Sequence, residues 1–174
     1  VIEMPAIRTE SISPNPALRD ALWRFSDREG EKWLVFTSPI GVSVFFEQLV
    51  EMKMDLRALF CTAGTVKVAA IGSATAKALS QHGVFPDLVP SVYSAEELGR
   101  ALAEKAEEGS HVLIARAEKG SEDLIPPLHD AGISTEDIPL YRTVYEVEPM
   151  LKDRIREMLE NGEIDAVTFT SGST

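Results

Sequence analysis

The stretch Trp33-Leu34-Val35-Phe36-Thr37-Ser38-Pro39 decides the fold class. Its first four residues form a continuous apolar run, which is typical of a strand buried on both faces of a parallel sheet. The next three residues suit a helix start, because Ser and Thr cap helices and Pro fits the first helical turn. The stretch therefore predicts a buried strand that turns directly into a helix, which is the repeating unit of an α/β protein.

The same alternation of strands and helices continues along the chain. Apolar periodicity predicts helices over residues 15–25, 37–53, 74–82, 94–108, 121–131 and 151–160, with a helical turn at 55–60. Strands are predicted at residues 1–5, 33–36, 66–71, 87–90, 111–115, 138–147 and 165–170. On the helix 37–53, one apolar face is expected, consisting of Val42, Phe45, Phe46, Leu49 and Val50. Parallel strands need crossover helices, so this order predicts an α/β protein with a parallel sheet.

Composition excludes several classes of partner. Lys and Arg number 17 and Asp and Glu number 28, so the net charge is −11. A chain this acidic repels a nucleic-acid backbone and an anionic membrane surface, and no apolar run approaches the roughly 18–20 residues of a membrane span. The single cysteine excludes an internal disulfide and a cysteine-based zinc site. We therefore expect a cytoplasmic protein that binds neither nucleic acid nor membrane.

Two short motifs recur in the same order and indicate an internal duplication. The pattern P-x-x-R-T stands at Pro5–Thr9 and Pro139–Thr143, and F-T-S stands at Phe36–Ser38 and Phe169–Ser171, with spacings of 31 and 30 residues. Each P-x-x-R-T is expected to end a strand. The repeat predicts an intact domain at 15–141, a partial domain built from 1–9 and 147–174, and linkers at 10–14 and 142–146. Both ends of the chain are expected to be cut.

Small hydroxyl-bearing turns between strands and helices are the first candidate binding positions. Ligands of open parallel sheets bind at the carboxyl edge of the strands, and backbone N–H groups at helix N-termini suit anions. Each hydroxyl can equally be an ordinary helix cap. The candidate substrate-binding residues in these turns are Thr37, Ser38, Gly72, Ser73, Thr75, Ser94, Thr170 and Ser171.

Charged and aromatic residues near predicted strand ends are the second set of candidates. Arg116, with Lys119 and Arg142, either meets an anionic ligand or lies in a solvated loop. Tyr141 ends a strand where the chain leaves the intact domain, and a phenol there can donate a hydrogen bond or a proton. The spacing of the remaining reactive side chains fits neither a metal site nor a nucleophile with an adjacent base, so we expect structural roles for them. These side chains are Cys61, His82, His111 and His129.

Several segments together resemble uroporphyrinogen-III synthase. The matching segments are Leu34–Val42, Ala70–Ala76, Pro86–Pro90, Tyr93–Glu96, Pro139–Tyr145 and Ala166–Ser171. The resemblance implies two flavodoxin-like parallel-sheet domains joined by a two-stranded linker, one of them only partly present. It also implies that one domain is built from both chain ends, in agreement with the repeat.

The resemblance implies a lyase reaction without a metal or an organic cofactor. The substrate would be hydroxymethylbilane, which the enzyme closes to uroporphyrinogen III with inversion of the last pyrrole ring and loss of water. Tyr141 matches a tyrosine expected to assist departure of the substrate hydroxyl. The turns that would hold substrate carboxylates match at Ser38, Ser73, Thr75 and Ser94. We expect a monomer that makes transient contact with the deaminase preceding it in the pathway.

The residues leave three alternatives open. Hydroxyl turns at helix N-termini serve a non-catalytic two-lobed protein for small anions equally well, and an inactive fragment of the synthase is a further alternative. A regulatory domain of flavodoxin-like shape would need an acidic pocket at the strand ends. The sequence has Thr37-Ser38 and Gly72-Ser73 at those positions instead, so this third reading ranks lowest.

Overall fold

The computed structural model describes residues 2–3, 5, 7–60, 64–145 and 148–168. The chain divides into two compact units. One unit is Ser11–Arg142, and the other combines Val1–Glu10 with Thr143–Thr174. Strands and helices alternate in a mixed α/β fold, which confirms the predicted class.

The larger unit holds most of a five-stranded sheet. The strands are β1 (Ile7–Ser11), β2 (Glu31–Phe36), β3 (Thr65–Ala70), β4 (His111–Ala117) and β5 (Ser134–Tyr145), in the spatial order β1-β5-β4-β2-β3. The pairs β2–β3, β2–β4 and β4–β5 are parallel. The helices are α1 (Pro16–Asp27), α2 (Pro39–Glu51), α3 (Arg57–Phe60), α4 (Ser73–Gln81), α5 (Ala95–Lys105), α6 (Ile125–Asp130) and α7 (Pro149–Glu160), with a 3₁₀ turn at Glu122–Leu124.

Strand β2 lies in the middle of two apolar cores. Its side chains alternate, so that Leu34 and Phe36 join the cluster that α1, α2 and α4 cover, whereas Trp33 and Val35 join the cluster under α5 and α6. Every residue of β2 is buried. The continuous apolar run thus forms a strand covered on both faces, because a parallel sheet buries both of its surfaces.

Capping residues begin the helices where their local sequence predicts. The Asn15 side chain accepts a hydrogen bond from the Leu18 amide and Pro16 opens α1, while the Ser94 side chain accepts from Glu97 at the start of α5. Val50 departs from the predicted apolar face of α2, because it is 78% exposed. The buried stripe of α2 includes Val42, Phe45 and Leu49, and Val50 lies about 100° further round the helix.

Three predicted strands are wrong. Residues 2, 3 and 5 are not in a strand, and β1 begins only at Ile7. Residues 87–90 form a single parallel bridge between Leu88 and Ala69, because Pro86 and Pro90 on either side have no N–H to extend the ladder. Residues 165–168 have no regular structure and are mostly exposed. A strand needs a partner, and no strand in the described ranges pairs with this segment.

The repeated P-x-x-R-T motif does not end strands. Arg8 and Thr9 lie inside β1, and Pro139–Thr143 lies inside β5, which continues to Tyr145. In the unit formed by the chain ends, helix α7 has no buried residue. The predicted domain boundaries and linkers remain predictions.

Candidate functional site

The carboxyl ends of β2 and β4 lie beside Tyr141, an internal residue of β5. Phe36 at the end of β2 is in register with Ala115 of β4, and Ala117 of β4 is in register with Tyr141 of β5. The Glu118 amide just beyond β4 donates to the Tyr141 carbonyl at 2.8 Å. Because β4 lies between β2 and β5, the turn after β2 can reach β5 only across the end of β4.

Ser38 and Tyr141 make that connection. The Ser38 Oγ lies 2.8 Å from the Tyr141 hydroxyl and accepts the Gly41 amide at 2.9 Å, which caps α2. Tyr141 is 7% exposed and packs in the same core as Phe36 and Phe45. Two of the predicted candidates, 103 residues apart in the sequence, therefore share one hydrogen bond.

Gly41 makes this approach possible. A Cβ at position 41 would lie 3.1 Å from Ser38 Oγ and 3.8 Å from the Tyr141 ring. The nearer contact is tighter than ordinary packing allows, so a larger residue would press the Ser38 hydroxyl away from its place. Sequence reasoning did not select Gly41, although its position three residues after a capping serine is the signal that identifies it.

A buried amide network holds the β5 backbone beside this pair. The Gln48 side chain donates to the Leu140 and Ile12 carbonyls and accepts from Asn15, at distances of 3.2, 2.9 and 3.2 Å. Asn15 also donates to the Pro139 carbonyl at 3.0 Å. Helix α2 thus holds β5 through Gln48 as well as through Ser38. Sequence reasoning missed Gln48, because a glutamine in an amphipathic helix is ordinarily on the exposed face.

The turn after β3 forms a second part of the edge. Gly72 begins α4 without a side-chain cap, and a Cβ at this position would lie 2.8 Å from the Tyr93 ring. Tyr93 therefore lies directly against Gly72 while remaining 60% exposed. Ser73 is exposed in the first turn of α4, whereas Thr75 is buried at 2% exposure, so its hydroxyl does not face solvent.

Other predicted binding residues have different surroundings. Thr37 is half-buried beside Ser38, and Ser94 caps α5 by accepting the Glu97 amide at 3.2 Å. Thr170 and Ser171 lie outside the described residues. Substrate binding by these residues stays a prediction.

Arg116 is engaged inside the protein. Its guanidinium donates to both Asp137 oxygens, with Nε 3.0 Å from Oδ1 and Nη2 2.5 Å from Oδ2, and its Nη1 donates to the Ser121 carbonyl. The side chain is 5% exposed and lies against Gly120, where an added Cβ would be 2.7 Å from Arg116 Cδ. This geometry favours a role in holding the loop after β4 over contact with a ligand.

The histidines have protein partners. His82 stacks on Phe46 with ring centroids 3.9 Å apart. A ring nitrogen of His111 lies 2.9 Å from the Ser134 hydroxyl, and a ring nitrogen of His129 lies 2.9 Å from the Thr135 hydroxyl. Cys61 lies outside the described residues. In the described ranges, no group of three or more His, Cys, Asp and Glu side chains is placed to hold a metal ion. No helix there is long and apolar enough to cross a membrane.

Several groups with shifted pKa values lie at the opposite edge of the sheet, where strands begin. Burial alone would raise the pKa of Glu31 at the start of β2, but hydrogen bonds from Lys67, Trp33 and the Glu107 amide bring it below its ordinary value. Burial lowers the pKa of Lys32, whose ammonium donates to the Arg28 carbonyl at 2.7 Å. These charges are satisfied within the fold, so they serve packing at the amino edge.

The chain is similar to proteins of one family along its whole length. The family model HEM4, described as uroporphyrinogen-III synthase HemD, matches residues 1–174. A "porphyrin biosynthesis protein HemD" from Ruminiclostridium josui is 32% identical over 99% of this chain and 32% of its own length. A uroporphyrinogen-III synthase from Chlorobaculum parvum is 31% identical over 87% of this chain and 60% of its own length. The chain thus spans about a third of the length of the first relative and three fifths of the length of the second.

Solved structures show the same fold. A crystal structure of mutant uroporphyrinogen III synthase from the extreme thermophile Thermus thermophilus has a TM-score of 0.63 at 23% identity, covering 92% of this chain and 59% of that one. The wild-type enzyme of the same organism has a TM-score of 0.61 at 21% identity, covering 96% of this chain and 61% of that one.

Proposed function

The chain belongs to the uroporphyrinogen-III synthase family, and on that premise we propose that this protein closes hydroxymethylbilane to uroporphyrinogen III. The reaction inverts the last pyrrole ring and releases water, so the protein acts as a lyase. The observation that carries the proposal is the placement of Tyr141, whose hydroxyl lies 2.8 Å from Ser38 Oγ at the carboxyl edge of the sheet. Ligands of open α/β sheets bind at this edge.

Tyr141 is the residue that we assign to proton transfer. Loss of hydroxide from the substrate needs a proton donor, and a phenol positioned by a second hydroxyl can supply one. The rest of catalysis would be positioning, since a flexible bilane must be folded before its ends can react. No step of this scheme needs a metal or an organic cofactor.

Three segments of the edge that contain no charged residue suit a polyanionic substrate. In a chain of net charge −11, three segments of the edge contain no Asp, Glu, Lys or Arg, namely residues 37–46, 71–76 and 88–95. Substrate carboxylates would therefore meet N–H groups and hydroxyls rather than like charges. We propose Thr37, Gly72, Ser73 and Ser94 as substrate contacts on this basis. Thr75, Arg116, Thr170 and Ser171 remain predictions without support from the geometry.

We further propose that the chain contributes to two flavodoxin-like domains joined by a two-stranded linker. The division into Ser11–Arg142 and a unit of both chain ends supports this architecture, since its boundaries fall close to the predicted linkers at 10–14 and 142–146. A monomer in the cytoplasm, in transient contact with the preceding deaminase, completes the proposal. The contact with the deaminase is supported by the similarity to the porphyrin biosynthesis protein of Ruminiclostridium josui.

The test is conversion of freshly prepared hydroxymethylbilane by the full-length protein. The bilane closes spontaneously to isomer I, so an excess of isomer III among the oxidised products measures the activity. We expect Tyr141→Phe to slow isomer III formation and Tyr145→Phe, a tyrosine that is 82% exposed, to leave it unchanged. If the protein binds many unrelated anions and forms isomer I alone, it is an anion-binding protein and the proposal is wrong.

A further inference from the structure

The Ser38 hydroxyl is joined to a helix N-terminus and to the Tyr141 phenol at the same time. Its oxygen lies 2.9 Å from the Gly41 amide and 2.8 Å from the Tyr141 hydroxyl. We propose that Ser38 is the positioning residue of Tyr141: it orients the phenol and donates to its oxygen when the phenol gives up its proton. This inference rests on the proposed function and gives Ser38 a role other than holding a substrate carboxylate.

The number of donors and acceptors decides which way the hydrogen bond runs during the reaction. A serine hydroxyl has one hydrogen and two lone pairs. The Gly41 N–H occupies one lone pair of Ser38, which leaves its hydrogen available for Tyr141. When Ser38 donates, the Tyr141 hydrogen is free to go to the substrate. The hydrogen bond from Ser38 Oγ to the Tyr141 oxygen can therefore hold the phenol in place while the phenol's own proton stays available to the substrate.

The proton-transfer step balances without any further reactant. The carbon–oxygen bond of the substrate hydroxymethyl group breaks, its electron pair stays on oxygen, and the Tyr141 proton completes a water molecule. The products are a pyrrole-stabilised cation and a phenolate. The substituted carbon of the last pyrrole ring attacks this cation, and the bond from that carbon to its original bridge breaks, which leaves a second pyrrole-stabilised cation on the neighbouring ring. The unsubstituted carbon of the last ring then attacks the second cation and loses a proton, and that proton restores the phenol. The net change is two carbon–carbon bonds formed, one carbon–carbon bond broken and one water released, so the last ring is inverted.

Helix α2 favours the phenolate through Ser38. A helix N-terminus carries a partial positive charge, and α2 extends over the 13 residues Pro39–Glu51. The Gly41 N–H polarises the Ser38 hydroxyl, and a chain of hydrogen bonds that ends on an anion is stronger than a neutral one. Because Tyr141 is 7% exposed, little water competes for its oxygen, so the loss of Ser38 would leave the anion poorly solvated.

The experiment compares wild type, Ser38→Ala, Ser38→Thr, Tyr141→Phe and the Ser38→Ala/Tyr141→Phe double variant in isomer III formation by the full-length protein. We expect Ser38→Ala to lower kcat by about ten- to a hundredfold, which is the loss of one hydrogen bond to a charged group. KM stays unchanged, and Ser38→Thr restores most of the rate. The double variant is no slower than Tyr141→Phe alone, since Ser38 acts only through the phenol.

A spectroscopic readout is independent of activity. The 174 residues contain three tyrosines, and the difference spectrum between a protein with Tyr141 and the same protein with Tyr141→Phe isolates the signal of this one phenol. The intensity ratio of its Raman doublet distinguishes a phenol that donates a hydrogen bond from one that accepts. Ser38→Ala should change this ratio, whereas Ser94→Ala, which removes a similar helix cap on α5, should not. Ser94→Ala also calibrates the loss of thermal stability caused by a missing cap.

Three results would overturn the inference. They are a raised KM with unchanged kcat in Ser38→Ala, fully additive losses in the double variant, and a Raman ratio that Ser38→Ala does not alter. The first result would return Ser38 to the role of a carboxylate contact. Wild-type protein that forms no isomer III would instead refute the proposed function, and the Raman result would still report on the hydrogen bond.

Discussion

Replacing Gln48 with methionine tests whether the buried amide network stabilises the fold. Gln48 is 2% exposed, and its Nε2 lies 2.9 Å from the Ile12 carbonyl, 3.0 Å from Ser11 Oγ and 3.2 Å from the Leu140 carbonyl. Its Oε1 accepts from Asn15. Two N–H groups and one carbonyl are thus used, so about three hydrogen bonds at 0.5–1.5 kcal/mol each predict a loss of about 2–4 kcal/mol. Methionine keeps the length of the side chain and its helix propensity.

The assay is urea unfolding, followed by tryptophan fluorescence. Of the two tryptophans in the sequence, Trp33 is fully buried in β2 and reports on unfolding, whereas Trp23 is 59% exposed. A loss of about 3 kcal/mol corresponds to a decrease in Tm of roughly 6–12 °C for a chain of this size. Glu47→Met is the matched control, because its exposed neighbour position on α2 has no share in the network. Coincident unfolding midpoints for Gln48→Met and Glu47→Met would refute the reasoning, since the network would then contribute nothing measurable.

Three further changes have defined outcomes. Gly72→Ala places a Cβ 2.8 Å from the Tyr93 ring and should cost about 1 kcal/mol, which the added change Tyr93→Ala recovers in thermal unfolding. Burial and the positive charge of Arg28 lower the pKa of His111 below its ordinary value of 6.5. As the pH falls below about 6.5, His111 takes up a proton in the unfolded state before it does so in the folded state, so the free energy of unfolding decreases. His111→Gln should therefore flatten this part of the plot of urea midpoint against pH. Arg116→Lys removes a bidentate contact and should cost about 1–3 kcal/mol in urea unfolding, whereas Arg100→Lys, at an exposed ion pair, should change nothing.

Most helices and strands could be predicted because their signals are local. Asn15 with Pro16 begins α1, and Ser38 with Pro39 begins α2, since capping depends on atoms within three residues. The predicted strand at 165–170 was wrong over its described residues, and the one at 87–90 shrank to a bridge. A strand exists only with a partner, and an apolar run does not say whether one is available.

The candidate site was predicted as single residues and not as an arrangement. Ser38 and Tyr141 were each selected, but nothing in the sequence joins two residues that are 103 positions apart. Arg116 was predicted either to meet an anionic ligand or to lie in a solvated loop. Neither prediction included Asp137, because this partner belongs to the next strand and is 21 residues away. Gln48 was not selected at all, since its acceptors lie in segments far from α2.

The sequence by itself determined the alternation of elements, the hydroxyl turns after the strands and the resemblance to one family. Those features depend on burial periodicity and on hydrogen bonds between residues close in the chain. Only the tertiary structure decided that the Tyr141 hydroxyl forms a hydrogen bond with Ser38 and that the Asp137 carboxylate accepts hydrogen bonds from the Arg116 guanidinium. Both outcomes follow from the strand order β5-β4-β2. That order depends on the packing of all residues in both cores, and no short segment of the chain contains enough of these contacts to determine it.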